Sequence, residues 1–113
     1  MTEGRFLGKT VIVTGSGSGI GRATASRVAM EGCRVIAVDI SKERLGDFAA
    51  QLPHADIVPV DGDITDDAAV GAIFASTGER IDGLAKIAGI MDNMTPVNEV
   101  SDEIWDRMFS INV

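Results

Sequence analysis

The sequence predicts an α/β fold in three layers, a doubly wound parallel sheet with helices on both faces and strand order 3-2-1-4. Three observations predict it. Short β-branched or apolar runs recur at residues 9–14, 34–39, 56–60 and 84–88. Segments with helical caps and helical apolar spacing separate them. The runs are continuously apolar rather than alternating, which is the pattern of strands buried on both faces of a parallel sheet. Right-handed crossovers leave few ways to wind such a chain. The expected order is the first half of a doubly wound sheet plus one strand past the point where the order reverses.

Each element has its own signal. Residues 9–14, KTVIVT, end in glycines and read as the first buried strand. Residues 19–31 read as a helix closed by Gly32 at the position after its cap. RVIAVD, 34–39, is the second strand. Ser41 caps a helix that runs to Leu52, where Pro53 stops it. Residues 56–60 form the third strand. Thr65 or Asp66 caps the next helix, whose Val70, Ile73, Phe74 and Thr77 share one face. Residues 84–88, between Gly83 and Gly89, form the fourth strand. Ser101 caps a last helix with Ile104, Met108 and Ile111 on its inner stripe.

Composition bounds the function. The 113 residues make one domain, 1–113, and at 45% hydrophobic they suffice for a packed core. A net charge of −7 argues against nucleic acid or an acidic membrane surface as partner. No apolar run approaches the roughly 20 residues that cross a bilayer, and residues 1–9 lack a signal-peptide core. A single cysteine, Cys33, forms no internal disulfide and fits a reducing, cytoplasmic setting. One His and one Cys build no His/Cys metal site, and none is expected.

The chemistry gathers at residues 14–21, TGSGSGIG, between the first strand and the first helix. Four glycines in the seven residues 15–21 let a backbone approach a diphosphate closely. The start of the following helix favours that anion. The spacing is Gly15, Gly19, Gly21, rather than the commoner GxGxxG, which Ile20 interrupts. Arg22-Ala23 after the last glycine argues against a P-loop. The plainer reading is a glycine-rich turn without a ligand, at an entropic cost that a mere turn does not require. Asp39 ends the second strand, 18 residues after Gly21. A carboxylate there accepts the ribose hydroxyls of an adenosine and repels a 2′-phosphate. Ser18 and Ile40 are not basic, so nothing near in sequence offsets that repulsion. The expected cofactor is therefore NAD rather than NADP, in a Rossmann-type half-fold; the plainer reading of Asp39 is a capping or loop acid.

These residues resemble the short-chain dehydrogenase/reductase family across the whole chain. TGSGSGIG matches the family's TGxxxGIG turn, and the resemblance assigns Gly15, Ser18, Gly19, Ile20 and Gly21 to the cofactor. Asp39 is similar to its NAD-selecting acid. Asp63 and Ile64 resemble the acid and hydrophobe that meet the adenine, and Ala88-Gly89 the end of its NNAG motif. Asn112 resembles its catalytic-helix asparagine, a helper rather than the reacting group; a satisfied core amide is an equal reading. The implied activity is hydride transfer between NAD and an alcohol or carbonyl substrate in a complete enzyme. The family's serine and Tyr-x-x-x-Lys pair would follow the last residue of this sequence, which contains no tyrosine. The chain alone is thus expected to be inactive. The alternative is a non-enzymatic dinucleotide-binding or oligomerisation module.

Several residues carry competing readings. Lys86 and Ile87 depart from the asparagines of the family motif. A lysine in mid-strand is costly unless it reaches solvent at the strand's end, which is the favoured reading. His54 reads as a solvated turn residue, Cys33 as a small core residue, and Asp66 and Asp67 as acids at a helix start. Met91 to Met94 would form a loop facing a substrate. An unpaired fourth strand and an amphipathic last helix predict self-association as a homo-oligomer.

Overall fold

A computed structural model describes residues 4–78, 80–89 and 97–112. The elements are β1 (Thr10–Thr14), α1 (Gly19–Met30), β2 (Arg34–Asp39), α2 (Lys42–Gln51), β3 (Ile57–Asp61), α3 (Asp67–Ser76), β4 (Gly83–Ala85) and α4 (Asp102–Asn112), with a 3-10 turn at Val97–Glu99 before α4. The four strands form one parallel sheet in the order β3-β2-β1-β4, as the pattern predicts. Thr10 to Thr14 pair with Arg34 to Val38, so the ends of β1 and β2 reach the same edge. Pro59 sits in β3, an edge strand, where its missing N–H is tolerated.

The core divides by sheet face. Val11, Val13, Val35 and Ala37 point to one side, where Ala25, Ala29, Leu45 and Phe48 of α1 and α2 cover them. Ile12, Ile36 and Val38 point to the other, against Ile73 of α3. Burying a side chain such as Ile36 contributes about 1.5–3 kcal/mol. The small alanines on α1 let that helix lie close to the sheet.

Caps set the helix ends. Gly32 N–H donates to Ala29 O and Cys33 N–H to Val28 O, a Schellman closure that ends α1. Ser41 accepts from Arg44 N–H at the start of α2, Asp66 from Ala68 N–H at α3, and Ser101 from Ile104 N–H at α4. Arg5 makes three hydrogen bonds to the buried Glu31 carboxylate through Nε and Nη2, and Arg27 adds a fourth at 3.3 Å. This clamp ties the residues before β1 to the end of α1.

Three expectations need correction. The fourth strand runs over Gly83–Ala85, not 84–88. After Ala85 the N–H groups of Ile87 and Ala88 donate to Thr14 Oγ1, at 3.0 and 3.1 Å, and leave the ladder. Lys86 therefore lies past the strand and is exposed, consistent with the solvent reading. Cover on both faces fails at β4, where Leu84 is 60% exposed. The inner faces assigned to α3 and α4 are only partly inner. Ile73 and Thr77 are buried, but Phe74 is half-exposed, and α4 buries none of its residues. The loop from Met91 to Met94 lies outside the described residues.

Candidate functional site

The sheet's C-terminal edge opens into a cleft of about 710 Å³. Its floor is the glycine turn. Gly15 has φ +73°, a left-handed conformation that glycine adopts without strain. A Cβ on Gly21 would lie 1.9 Å from Gly15 O, so the turn folds this tightly only with glycine there. Ser16 N–H donates to Val38 O and its hydroxyl to Val13 O, which locks the turn onto the ends of β1 and β2.

The turn delivers the start of α1 to the cleft. Ser18 holds the N-cap position, yet its side chain makes no capping bond. Among the described residues α1 alone has this uncapped start, since α2, α3 and α4 are each capped by a side chain. The first N–H groups of a helix need acceptors, and an anion is a suitable one.

Asp39 is buried at the end of β2 and its carboxylate is oriented from both sides. Oδ2 accepts from Gly17 N–H at 2.9 Å, and Oδ1 accepts from Ser41 N–H at 2.9 Å and from Arg44 Nη2 at 3.5 Å. A Cβ on Gly17 would lie 2.7 Å from Oδ2, so that glycine is what allows the acid to reach the turn. The absence of an offsetting cation, inferred from Ser18 and Ile40, is corrected here. Arg44 supplies one from α2.

Asp63 lies beyond β3. Its Oδ1 accepts the Thr65 N–H at 2.9 Å and hydroxyl at 2.7 Å, so the acceptor capacity that remains lies mainly on Oδ2. The Thr65 hydroxyl, then its N–H, hold the Asp63 carboxyl below the usual range, and the charge of Arg107 on α4 adds to this. Asp63 is ionised in neutral solution and acts as an acceptor only.

The structure brings nine of the expected residues together. Gly15, Ser18, Ile20, Gly21, Asp39, Asp63, Ile64, Ala88 and Gly89 all line the cleft. Gly19 does not; it borders a smaller groove between α1 and α2. Asn112 is exposed and is not a lining residue, although a Cβ on Gly89 would lie 2.9 Å from its Oδ1. Arg44, Arg107 and Ser110 line the cleft and escaped the sequence reading, while Ile111, expected on the inner stripe of the last helix, lines it as well. Spacing carried a signal for each. Arg44 is the third helical residue after the Ser41 cap, where a side chain reaches back over the preceding loop. Arg107, Ser110 and Ile111 share one helical stripe. Among the described residues no group of His, Cys, Asp and Glu could hold a metal ion. No helix among them is long and apolar enough to cross a membrane.

Comparison with known proteins agrees with this geometry. The family model for short chain dehydrogenases matches residues 9–113. The chain is 38% identical to levodione reductase of Leifsonia aquatica, over 96% of this chain and 43% of that protein. It is 39% identical to the short-chain dehydrogenase/reductase cdmF of Talaromyces verruculosus, over 91% of this chain and 40% of that one. Among solved structures, 3-ketoacyl-(acyl-carrier-protein) reductase from Brucella melitensis, complexed with NADH, superposes with a TM-score of 0.84 at 33% identity. That match covers 95% of this chain and 45% of that one. The chain thus spans less than half the length of these relatives.

Proposed function

The chain belongs to the short-chain dehydrogenase family, and on that premise we propose that its cleft holds a nicotinamide dinucleotide, NAD in preference to NADP. The observation that carries this reading is the uncapped start of α1, which opens on the same cleft as a buried, backbone-oriented Asp39. The N–H groups around Gly15, Ser18, Gly19, Ile20 and Gly21 would take the diphosphate, and Asp39 the adenosine ribose. Asp63 and Ile64 would hold the adenine edge. Ala88 and Gly89, fixed by Thr14 through the Ala88 N–H, would lie along the remainder of the dinucleotide.

When bound, that cofactor supplies or accepts a hydride at its nicotinamide. In the complete enzyme the transfer would be to or from an alcohol or carbonyl substrate. Asn112 is proposed as a helper on α4, where it orients neighbouring polar groups. The 113 residues contain no tyrosine, so the chain by itself lacks the family's acid/base and is proposed to bind without turnover. We read residues 1–113 as one cofactor-binding domain of a cytoplasmic protein. Self-association through the β4 edge or α4 is also proposed, because both present uncovered apolar or unpaired surface. Light scattering showing a stable monomer at micromolar concentration would refute that last part.

Calorimetric titration with NAD and then NADP tests the central claim. Binding of NAD that Asp39→Ala abolishes is the expected result. Stronger binding of NADP would remove the role given to Asp39, and binding of neither would remove the cofactor assignment.

A further inference from the structure

The groove between α1 and α2 is separate from the cleft, and we infer that it receives α4 of a second copy of this chain. The contact joins two unlike surfaces, so each copy offers both halves of it. The inference rests on the proposal that the chain self-associates. It goes further by naming the surface that α4 meets.

The groove holds about 360 Å³. Gly19, Arg22, Ala23 and Ser26 line it from α1 at i, i+3, i+4 and i+7, so one helical stripe forms that wall. Three of the four are small, which lets another helix come close. Phe48 and Leu52 line it from α2. The Arg22 guanidinium lies over the buried Phe48 ring, 5.7 Å from its centroid, and the residue is only half-buried. A guanidinium is planar and stacks on aromatic faces, so a second ring can lie on its outer side. α1 carries two arginines and no acid. Arg27 is engaged by Glu31, so Arg22 is the positive charge that the groove offers.

α4 presents the complement. Asp102, Trp105, Asp106 and Phe109 follow the same i, i+3, i+4, i+7 spacing, and all four are exposed. Two aromatic rings thus share a helix face with two carboxylates. The one base of the helix, Arg107, lines the cleft instead. Docking Trp105 on Arg22 places an indole over the guanidinium and brings Asp102 and Asp106 to its charge. Trp and Arg are the residue types that dominate interface energies. Within one chain the two surfaces do not meet, since Trp105 is half-exposed and does not line the groove. The occupant is therefore a second copy.

The test follows light scattering and the emission of Trp105, the only tryptophan in the sequence. Wild type is expected to associate as its concentration rises, with emission moving to shorter wavelength as the indole is covered. Arg22→Glu should weaken association about tenfold or more, and Trp105→Ala should do the same. Arg22→Gln, which keeps a stem but no charge, replaces Arg22→Glu should circular dichroism show the latter unfolded. Mixing the Arg22 variant with Trp105→Ala should restore a complex, because the first keeps α4 and the second keeps the groove. The emission of the Arg22 variant should shift as Trp105→Ala is added. Salt supplies an independent sign. The chain carries a net charge of −7, so association through apolar or strand-edge surface should strengthen as salt screens like charges. Docking of Asp102 and Asp106 on Arg22 should weaken. A mixture that stays monomeric overturns the inference, as does association that grows with salt. A wild type that stays monomeric at micromolar concentration removes the proposed self-association and this inference with it. Association untouched by the Arg22 variant removes the inference alone.

Discussion

The β1–α1–β2–α2 region and the β4–α4 region of this chain are built to different standards. In the first, Val13, Val35, Ile36 and Ala37 have no exposed surface, and the turn, caps and acid are fixed by backbone hydrogen bonds. In the second, Leu84, Trp105 and Phe109 are each more than half-exposed, and β4 has three residues. The turn from Gly15 to Gly21 and Asp39, proposed above to take the adenosine half of a dinucleotide, are held by contacts within this chain. Among the described residues, Leu84 and α4 have far less packed against them.

The sharpest way to break the comparison is at Gly21. A methyl group there meets the Gly15 carbonyl at 1.9 Å, and a backbone atom has nowhere to go. Gly21→Ala is expected to cost about 3 kcal/mol or more, read from urea unfolding, with loss of NAD binding in whatever still folds. Near-native stability would mean that the turn is looser than the packing implies. A smaller effect is expected at Thr14, the joint between the two regions. Thr14→Val keeps the shape but leaves the Ile87 and Ala88 N–H groups without their acceptor. About 2 kcal/mol should be lost. Hydrogen exchange at those two amides should rise while that of β2 stays slow.

The same division explains what was legible in the sequence. Strands 1 to 3, their helices and the order 3-2-1-4 follow from apolar runs and caps, because those signals are local and β1 and β2, at the centre of the sheet, are covered on both faces. The glycine turn and Asp39 were legible for the same reason. Arg44 was only partly so: the Ser41 cap places it on the first turn of α2, but its meeting with Asp39 depends on how that helix leaves the sheet. The apolar pattern extends the fourth strand to Ala88, whereas the Thr14 hydroxyl takes over the hydrogen bonds after Ala85. The stripe on α4 predicts an inner face, but a periodic pattern shows only that a helix has an apolar side. It does not show what lies against it.

Acid should sharpen the contrast from the other edge of the sheet. The Arg5 hydrogen bond holds the Glu31 carboxyl below its usual range, against the opposing effect of burial, with the charges of Arg5 and Arg27 adding to it. A carboxyl lowered in the folded state contributes stability that is fully present above the unfolded value. That stability is lost as the pH falls through the folded value. Stability should therefore decline through the acid range below the ordinary glutamate pKa, and Glu31→Gln should flatten that decline while lowering the plateau at neutral pH. Asp82, lowered chiefly by the Thr10 N–H, titrates in the same direction, so Asp82→Asn is the control for the β4 side. An acid limb unchanged by Glu31→Gln would show that the clamp does not hold the chain before β1.

The smallest effect on folding belongs to α4, and its size is what tests the two-region picture. Trp105 and Phe109 pack on each other with ring centroids 4.7 Å apart, but each is about half-exposed. Removing one ring takes away a mostly solvated contact, and Trp105→Ala should change the unfolding free energy of the monomer by about 0.5 kcal/mol or less. If α4 mediates the proposed self-association, the same variant should shift light scattering toward monomer, so one substitution would leave stability in place and remove assembly. A loss matching that of Thr14→Val, at protein concentrations too low for association, would show that α4 unfolds with the sheet. The far side of the cleft would then be as firmly built as the adenosine side, and the division drawn between the two regions would not hold.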